Sequence, residues 1–385
     1  MRFGNLKKFH GGIGSKMNEK LIKTFEGKTV LITGHTGFKG SWLSIWLKEL
    51  GANVIGYSLD PPTTPNNFEL TNLKNRIISI KGDIRDKEKL AEVIFSYKPE
   101  IIIHLAAQTI VLKSYEDPRE TFDTNVMGTL NILESARNFT FIKTILVITS
   151  DKCYKDQKTF WGYRENEHLG GKDPYSASKG MTEILVNSYR ESFFSEGLDV
   201  ALASARAGNV IGGGDFADFR LVPDSMRSLI SKEEIKVRNP ESVRPWQHVL
   251  VTLSGYLNLI IKLQEERKSF ADAWNFGPIE NKGIKAREVA DKIIYHWGSG
   301  KWLDVSDPKA KKETDVLRLN WDKVYYNMGW TPSYNWEEAI KATVEWFKEY
   351  EVQKNNSNPD LYNLCSNQIK DYTEKASSQN LEWAN

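Results

Sequence analysis

A tyrosine and a lysine stand four residues apart in a setting that suits base catalysis. Tyr175 and Lys179 follow Pro174, a residue that favours the first turn of a helix, so we expect both side chains on one helix face. A lysine ammonium at that distance lowers the pKa of the phenol and lets the phenolate act as a base. The pair predicts proton removal from a hydroxyl group.

The same spacing occurs twice more in the chain, so the spacing alone is not decisive. Tyr154 with Lys158 and Tyr350 with Lys354 lack the helix-starting proline in the strand-rich half of the chain. A surface pair is the simplest alternative for all three. The pair after Pro174 differs because an apolar run that ends in hydroxyl residues, 148–150, precedes it.

Three polar residues end that run, namely Ser150, Asp151 and Lys152. A hydroxyl can hydrogen-bond to a substrate oxygen, a carboxylic acid can protonate a leaving group, and a neutral lysine can remove a proton. The alternatives are a turn cap for Asp151 and, for Lys152, a phosphate contact or the orientation of Asp151. We predict catalytic roles for all three.

A second motif places three glycines directly after the short apolar run 30–32 and before a helical pattern. Main-chain N–H groups and the positive end of a helix dipole at such a turn can bind a pyrophosphate. The spacing is Gly-x-x-Gly-x-x-Gly, and a loop that needs positive φ angles would use glycines too. We predict a dinucleotide site that includes Gly34, Thr36, Gly37, Phe38 and Gly40.

The choice of dinucleotide depends on Asp60, which follows the second apolar run. A carboxylate there accepts hydrogen bonds from the adenosine ribose hydroxyls, and no arginine adjoins it to welcome a 2′-phosphate. NAD is therefore favoured over NADP. The alternative is an ordinary loop aspartate before Pro61.

Short apolar runs alternate with amphipathic segments through the first half of the chain, at 30–32, 54–55, 77–80, 101–104, 145–148 and 200–202. This alternation predicts an α/β fold with a doubly wound, Rossmann-type parallel sheet and a smaller mixed C-terminal substrate-binding region. We predict a flexible N-terminal extension over 1–25, a cofactor domain over 26–207, a substrate region over 208–350 and a polar C-terminal tail over 351–385.

Composition excludes several classes of protein. The 52 Lys and Arg against 50 Asp and Glu give a net charge of +2 without a long basic run, so we expect no nucleic-acid partner. Apolar runs such as 101–107 are too short to span a membrane. Cys153 and Cys365 form no disulfide framework and no metal-binding spacing, so we expect a reducing cytoplasm and no metal.

Taken together, these motifs resemble the extended short-chain dehydrogenase/reductase superfamily over about residues 28–350. Within it, the segments 149–154, 161–165, 206–215 and 244–249 are similar to the CDP-glucose 4,6-dehydratases. Related dTDP-glucose and GDP-mannose dehydratases carry Asp-Glu or a comparable carboxylate where this chain has Asp151 and Lys152. The resemblance adds a set of cofactor-binding residues, which are Asp83, Ile84, Leu105, Ala106, Ala107, Tyr175 and Lys179.

The resemblance implies NAD as cofactor, CDP-D-glucose as substrate and a reaction that oxidises C4, removes water across C5 and C6 and returns hydride to C6. It implies Tyr175 as the base at the C4 hydroxyl, Asp151 as the acid at C6 and Lys152 as the candidate base at C5. A homo-oligomer, dimer or tetramer, and a part in supplying deoxyhexose for lipopolysaccharide O-antigen are also implied. The implied substrate ligands are Gln108, Asn209, Arg238 and Arg244, of which the last three suit a diphosphate.

Three alternatives remain open from the sequence. A nucleotide-sugar 4-epimerase would share Tyr175 and Lys179 but would need no acid or base for C5 and C6. A dehydratase of another nucleotide-hexose would keep every catalytic group. A non-catalytic NAD-binding regulator would be expected to lack the Tyr/Lys pair.

Overall fold

The computed structural model describes residues 18–157, 159, 161–194, 198–280, 283–307, 317–356 and 359–385. The strands in these residues are β1 (Thr29–Thr33), β2 (Asn53–Ser58), β3 (Ile78–Lys81), β4 (Ile101–His104), β5 (Thr144–Ile148), β6 (Ala201–Ala207), β7 (Val210–Ile211), β8 (Ile235–Val237), β9 (Val243–Arg244), β10 (Gln247–His248), β11 (Ala273–Phe276), β12 (Ile284–Lys285) and β13 (Trp302–Asp304). The α-helices are α1 (Glu19–Phe25), α2 (Phe38–Glu49), α3 (Asn67–Leu70), α4 (Lys87–Tyr97), α5 (Val111–Glu116), α6 (Pro118–Phe122), α7 (Gly128–Arg137), α8 (Pro174–Tyr189), α9 (Leu221–Ile230), α10 (Val249–Glu265), α11 (Ala286–Trp297), α12 (Asp322–Met328), α13 (Trp336–Gln353) and α14 (Tyr362–Ser378).

The main sheet confirms the predicted fold class. Within the described residues it has seven strands in the order β11-β6-β5-β4-β1-β2-β3, and every neighbouring pair is parallel. Helices cover both faces, so the central strands are apolar at consecutive positions rather than at alternate ones. In β4, Ile101 and Ile103 pack into one core while Ile102 packs into the other.

The main sheet continues past residue 207, where the sequence places the end of the cofactor domain and the start of the mainly substrate-binding region. Strand β11 pairs with β6 and completes the main sheet, although Ala273–Phe276 lies inside the predicted substrate region. Helix α10 is buried along most of its length and packs against β5 and β6. The second region consists instead of the short strands and helices before α10 and after β11.

The predicted terminal tails also need correction. Leu21 and Phe25 of α1 are completely buried, so the flexible extension does not reach residue 25; residues 1–17 lie outside the described part. At the other end, α14 packs Ile369 and Tyr372 into the core, and Trp383 stacks on Tyr372 at a centroid distance of 6.1 Å. From residue 361 onward, the predicted polar tail is therefore an integral layer of the fold.

Two searches of the described residues gave negative results. No helix there has the length and apolar character required to cross a membrane. No group of three or more His, Cys, Asp or Glu side chains there is arranged to hold a metal ion.

Candidate active site

The carboxyl ends of β1, β4, β5 and β6 meet at one edge of the main sheet, and the candidate site lies there. The strand order reverses between β1 and β4, since β2 and β3 lie on one side of β1 and β5 and β6 lie beyond β4. In open parallel sheets, ligands bind in the crevice at such a reversal. The glycine loop follows β1 and the segment 149–152 follows β5, so the two sequence motifs converge.

The glycine loop is closed so tightly that side chains would not fit. Gly34 has a φ of 76°, and a Cβ added to it would lie 2.8 Å from the Ala106 nitrogen. A Cβ on Gly40 would lie 2.1 Å from the Gly34 carbonyl oxygen. The loop therefore presents main chain to the crevice, and the N-terminus of α2 follows at Gly37 and Phe38 with N–H groups suited to a phosphate.

Two threonines fix this loop to its neighbours. The Thr36 hydroxyl lies 2.9 Å from the Ser58 hydroxyl and donates to the Leu59 carbonyl oxygen at 3.0 Å, which joins the loop to the end of β2. The Thr33 hydroxyl accepts a hydrogen bond of 3.2 Å from the Ala106 N–H, which joins β1 to the half-buried segment 105–107. The predicted cofactor segments Leu105, Ala106 and Ala107 thus adjoin the glycine loop.

The predicted ribose ligand Asp60 lies at the expected strand end, but with a cation beside it. Asp60 is exposed and forms an ion pair with Lys81, the last residue of β3. Asp83 pairs with Arg85 at 2.6 Å, and the hydrogen bonds from that guanidinium hold the pKa of the Asp83 carboxyl below its ordinary value. Ile84 is buried. The residues around Asp60 in the sequence do not indicate that Lys81 lies beside it.

Gln108 has a structural task in its own loop. Its side-chain amide donates to the Thr121 hydroxyl at 2.9 Å and to the Ile110 carbonyl oxygen at 3.1 Å, while its carbonyl oxygen accepts from the Ile110 N–H at 2.6 Å. Its main-chain N–H donates to the Asn125 side chain at 2.8 Å. These bonds hold the loop after β4, so the substrate contact of Gln108 stays a prediction.

Helix α8 carries the predicted catalytic pair. It begins at Pro174, and the Asp173 side chain caps it by accepting from the Ser176 N–H at 2.9 Å. Tyr175 and Lys179 are both buried, one helical turn apart. The local sequence therefore produces the expected helix start and the expected shared face.

Burial raises the pKa of Tyr175 to about 12, while a hydrogen bond with Ser150 and the charge of Arg220 act to lower it. The Lys179 ammonium instead donates to the Ile148 carbonyl oxygen at 3.4 Å. Ser150 and Arg220 oppose the rise and the charge of Asp151 adds to it, so the expected lowering of the Tyr175 pKa by Lys179 stays a prediction. Burial also lowers the pKa of Lys179 to about 8, against the charge of Glu183 on the next turn.

Asp151 has the environment of a proton donor. Its Oδ1 accepts from the Ser150 hydroxyl at 2.9 Å, and its buried Oδ2 has no hydrogen-bond partner among the described residues. Burial raises the pKa of this carboxyl, although the charges of Lys152 and Arg244 oppose the shift. A Cβ at Gly208 would lie 1.9 Å from Oδ2, so the glycine makes room for the carboxyl. A carboxylic acid held partly neutral suits general acid catalysis.

Lys152 lies half-buried in the 3₁₀ turn Asp151–Cys153, and its main-chain N–H donates to the Ser150 hydroxyl at 3.2 Å. Its charge acts to lower the pKa of the neighbouring Asp151 carboxyl. This placement is compatible with a base at the substrate and with a residue that orients Asp151. The choice between them stays a prediction.

A model of the GDP-mannose 4,6 dehydratase family matches residues 31–343, which is most of the chain. The chain belongs to the GDP-mannose 4,6 dehydratase family. CDP-glucose 4,6-dehydratase of Salmonella typhimurium is 47% identical over 331 residues, covering 85% of this chain and 92% of that protein. The resemblance inferred from the motifs is thereby confirmed.

Solved structures agree on the fold of this GDP-mannose 4,6 dehydratase family member. The dTDP-glucose 4,6-dehydratase of Bacillus anthracis, in complex with NAD, superposes with a TM-score of 0.69 at 22% identity, over 85% of this chain and 98% of that one. The UDP-glucose 4-epimerase of Thermotoga maritima, with UDP-glucose, gives a TM-score of 0.72 at 23% identity, over 83% and 99%. Dehydratase and epimerase share the fold, so the fold does not choose between them.

Two cations that the sequence analysis missed act on the catalytic groups of this family member. Burial and the nearby charges of Arg220 and Lys179 lower the pKa of Lys39 to about 8, against the carboxylates of Asp151 and Asp215. Arg220 pairs with Asp215 at 2.9 Å. Lys39 could have been noticed as a charge inside the glycine motif, whereas Arg220 has no local signal, since only the fold brings it to this edge.

The three predicted diphosphate ligands lie on different elements of the structure. Asn209 follows β6 in the left-handed backbone region, with a φ of 40°. Arg244 is half-buried on β9, and its charge lowers the pKa of Asp151, so it belongs to the catalytic edge. Arg238 is exposed beyond β8 and forms an ion pair of 3.2 Å with Asp224. The geometry supports Arg244 as a diphosphate ligand better than Arg238.

Replacing Gly208 by alanine should impair the chemistry while the fold persists. The added Cβ would overlap Asp151 Oδ2, whose position 1.9 Å away cannot be kept. A displacement of about 1 Å can lower a rate by about 100-fold, and we expect a loss of that order in kcat. Steady-state kinetics and thermal unfolding would be measured together. Full activity in a folded Gly208→Ala variant would show that the Asp151 position is not critical.

Proposed function

We propose that this chain is an NAD-dependent CDP-D-glucose 4,6-dehydratase that forms CDP-4-dehydro-6-deoxy-D-glucose and water. The observation that carries the proposal is the 47% identity to CDP-glucose 4,6-dehydratase of Salmonella typhimurium over most of both chains. The site supports it, because Ser150, Asp151 and Tyr175 lie together at the carboxyl edge of the sheet.

The chain's own residues fit NAD. Gly34 and Gly40 leave main chain facing the crevice where a Cβ would overlap neighbouring atoms, and the N-terminus of α2 offers N–H groups to a pyrophosphate. Asp60 would accept from the ribose hydroxyls, and Lys179 would hold the second ribose. When bound, NAD supplies the acceptor for the C4 hydride and returns that hydride to C6.

In the first step, Tyr175 takes the proton of the C4 hydroxyl as the C4–H bond breaks. Because burial raises the pKa of Tyr175 to about 12, the phenol needs cationic surroundings to act as a base. Arg220 supplies part of that positive charge. Lys179 lies one turn further along α8, on the same helix face as Tyr175. The Ser150 hydroxyl hydrogen-bonds to the C4 oxygen and stabilises the ketone that forms.

In the second step, the C4 ketone acidifies the C5 proton. Lys152 removes this proton, and the electron pair forms the C5–C6 double bond as the C6–O bond breaks. Asp151 protonates the departing hydroxyl, which leaves as water. The raised pKa of the Asp151 carboxyl favours the protonated form that this role requires. In the third step, hydride returns to C6 and a proton to C5.

A nucleotide-sugar 4-epimerase is the nearest alternative, because its chemistry needs only the C4 base. Asp151 argues against it, since this buried carboxyl beside Ser150, with one oxygen unpartnered within the described part of the chain, has no role in epimerisation at C4. A non-catalytic regulator is disfavoured because Tyr175 and Lys179 are both present on one helix face. A dehydratase of another nucleotide-hexose would use the same catalytic groups and differs in the nucleotide or the hexose it binds.

One assay separates these functions. The protein is incubated with NAD and, in parallel, with CDP-D-glucose, dTDP-D-glucose, UDP-D-glucose and GDP-D-mannose, and the products are identified by mass and NMR. We expect the 4-keto-6-deoxy sugar from CDP-D-glucose at the highest kcat/KM. A C4 epimer without loss of water would identify an epimerase, and a higher kcat/KM with another sugar nucleotide would contradict the substrate assignment.

NAD should support turnover far better than NADP, because the Asp60 carboxylate repels a 2′-phosphate. In Asp60→Ala we expect the KM for NAD to rise by roughly tenfold, the loss typical of a hydrogen bond to a charged group. Lys81 then lacks its carboxylate partner, so use of NADP should improve. The matched control Asp199→Ala removes an exposed carboxylate that pairs with Arg267 and Lys143 at the amino ends of β5 and β6, opposite the crevice, and should leave both KM values unchanged. Equal rates of the wild type with NAD and NADP would contradict the role of Asp60.

We also propose a homo-oligomer, dimer or tetramer, and a cytoplasmic location with a part in supplying deoxyhexose for lipopolysaccharide O-antigen. Helix α8 packs against α5 and against the turn before α7. These three elements expose large apolar side chains, as expected of a surface that contacts another protein; they are Leu112, Met127, Met181 and Ile184. Sedimentation velocity of the wild type and of Ile184→Asp would test the oligomer. A wild type that sediments as a monomer would contradict the proposed oligomer.

The proposed cytoplasmic location is supported by the buried, free thiols of Cys153 and Cys365.

A further inference from the structure

One face of the main sheet changes from apolar to polar directly beside the candidate site. On the side that packs against α8, Val147 of β5 and Leu202 of β6 belong to the hydrophobic core. The next residues on that side are Thr149, Ser204 and Arg206, because side chains two positions apart in a strand share a face. All three are buried. A polar patch therefore stands where core packing would use apolar side chains.

Glu183 of α8 meets this patch with its carboxylate. The Thr149 hydroxyl donates to Oε1, while the Ser204 hydroxyl and the Arg206 guanidinium donate to Oε2 at 2.7 and 2.8 Å. Burial acts to raise the pKa of the Glu183 carboxyl, but the charge of Arg206 and these hydrogen bonds outweigh it, so the pKa lies below its ordinary value. Glu183 is therefore a buried, fully charged carboxylate at neutral pH.

Stability alone gives little reason for this buried ion pair. Glu183 and Arg206 are 2% and 3% exposed, so both charges have lost their hydration. That loss offsets most of their mutual attraction, and apolar residues of similar volume often replace such pairs without a loss of stability. We therefore examined what the carboxylate contacts on the side of the candidate site, and it has two connections to it.

The first connection passes through Thr149 to the catalytic turn. The Thr149 main-chain N–H donates to a carbonyl oxygen of β6 at 3.0 Å, and Glu183 holds its side chain. Ser150 follows directly, and its hydroxyl donates to Asp151 Oδ1 at 2.9 Å and forms a hydrogen bond with Tyr175. A displacement of Thr149 would therefore move the groups that must meet the substrate.

The second connection runs along α8 to Lys179, which lies four residues before Glu183 on the same helix face. Burial lowers the pKa of Lys179 to about 8, and the charge of Glu183 acts against this fall. Without the carboxylate, the ammonium would lose its proton at a lower pH.

Other titratable groups of the described residues do not replace this carboxylate. Those whose charges interact with Lys179 are Cys153 on the turn after β5, His104 on β4 and Lys39 on α2. Burial raises the pKa of the Cys153 thiol well above its ordinary value and lowers the pKa of His104 to about 3, so both are neutral at neutral pH. Lys39 is a cation and repels the ammonium. In this set, Glu183 is the anion.

We propose that Glu183 is a positioning residue for the candidate site, whose carboxylate fixes Thr149 and the catalytic turn after it and keeps the Lys179 ammonium charged. The proposal rests on the proposed function, because it takes Tyr175, Lys179 and the turn at 150–152 as the groups that act on the sugar. It adds a residue that touches neither substrate nor cofactor.

The charge is tested on the titration of Lys179 itself, in the whole protein without substrate. NMR of the protein labelled with ¹³C at the lysine Cε atoms follows each ammonium, and Lys179→Arg identifies the signal. In Glu183→Gln, which keeps the size of the side chain, the Lys179 midpoint should fall by about one pH unit or more, the usual effect of losing an opposite charge at close range. Glu183→Asp keeps the charge and should keep most of the wild-type midpoint.

A matched control comes from the neighbouring helix α7. Glu134 also accepts from a guanidinium and a hydroxyl, those of Arg137 at 2.7 Å and Tyr189 at 2.6 Å, but it lies away from Lys179 and is 35% exposed. Glu134→Gln should leave the Lys179 midpoint unchanged. If Glu183→Gln folds poorly because Arg206 is left unpaired, the double variant Glu183→Gln with Arg206→Gln removes both charges, and its Lys179 midpoint should fall as well.

The positioning of the turn is tested by Thr149→Val, which keeps the branched shape and removes the hydroxyl that Glu183 holds. Reduction of bound NAD by CDP-D-glucose, followed at 340 nm, should slow by roughly 10- to 100-fold, as expected for a displacement of up to about 1 Å. The Lys179 midpoint should stay at its wild-type value. In Glu183→Gln the same step should slow, and its alkaline limit should move to lower pH together with Lys179.

A role confined to stability would change thermal unfolding and leave the Lys179 midpoint where it is. An unchanged midpoint in Glu183→Gln and in the double variant would overturn the proposal, as would wild-type rates of NAD reduction in both Thr149→Val and Glu183→Gln. The NMR titration needs no substrate. Wild type that reduces NAD with none of the sugar nucleotides would therefore overturn the proposed function, while the titration would still decide the role of the Glu183 charge.

Discussion

Tyr175→Phe should lower the dehydration of CDP-D-glucose by 100-fold or more, the loss expected when a general base is removed. The phenol is buried at the carboxyl edge of the sheet and bonds to Ser150, so phenylalanine keeps the packing and removes only the proton acceptor. Reduction of bound NAD, followed at 340 nm after mixing with CDP-D-glucose, reports this step directly. It should slow by the same factor as turnover.

The chain provides a matched control for this substitution. Tyr350 has the same spacing to a lysine but lies on α13, where its ring stacks on Trp346 at a centroid distance of 6.0 Å. Tyr350→Phe should leave kcat and KM nearly unchanged. Tyr154 is a poor control, because its hydroxyl donates to Asn275 and accepts from Arg206 in a buried network. If Tyr175→Phe kept most of the wild-type rate, the base at C4 would have to be sought elsewhere.

The sequence predicts the central strands well because their signal is local. Strand β4 was expected at 101–104 and is found at Ile101–His104, since an uninterrupted apolar run suits a strand that is buried on both faces. Strand β11 was not recognised, because Ala273–Phe276 carries an asparagine and lies far along the chain from its partner β6. Its place in the sheet is decided by pairing over a long sequence separation, which no local pattern records.

Helix α14 shows a different limit of the sequence analysis. Its buried face is built largely from Tyr362, Cys365, Gln368 and Tyr372, with Ile369 as the one large aliphatic side chain. These side chains carry polar atoms that find partners only in the folded state, such as the hydrogen bond of 2.6 Å from the Tyr362 hydroxyl to Glu49. The composition of this segment therefore predicts a polar tail, because the hydrogen-bond partners of its polar atoms are brought to it only by the fold.

The residues of the candidate site also divide into those that local patterns predict and those that only the fold brings together. Ser150, Asp151 and Tyr175 were predicted because each follows a strand or begins a helix with a clear local pattern. Arg220 was not predicted, since its relation to Tyr175 depends on how the loop before α9 returns to the sheet edge. Residues of a short motif can be recognised from their neighbours in sequence, whereas a charge that reaches the site from a distant loop cannot.

Lys152→Ala and Asp151→Asn should stop the reaction at different stages. If Lys152 is the base at C5, Lys152→Ala should still reduce bound NAD with CDP-D-glucose but should neither exchange the C5 hydrogen with solvent deuterium nor release product. Asp151→Asn keeps that base and loses the acid for the C6 hydroxyl. We expect C5 exchange to survive there, while loss of water slows by roughly 100- to 10,000-fold.

The structure explains why the two effects should separate. Asp151 and Lys152 are neighbours in one 3₁₀ turn, yet Asp151 is buried with a free Oδ2 whereas Lys152 is half-buried. Asparagine is nearly isosteric with aspartate and can keep the hydrogen bond of 2.9 Å from Ser150, so the neighbouring tyrosine site should survive. Mass spectrometry of the recovered sugar in D₂O measures the exchange, and absorbance at 340 nm measures the oxidation. Normal C5 exchange in Lys152→Ala would assign the base to another group and leave Lys152 the task of orienting Asp151.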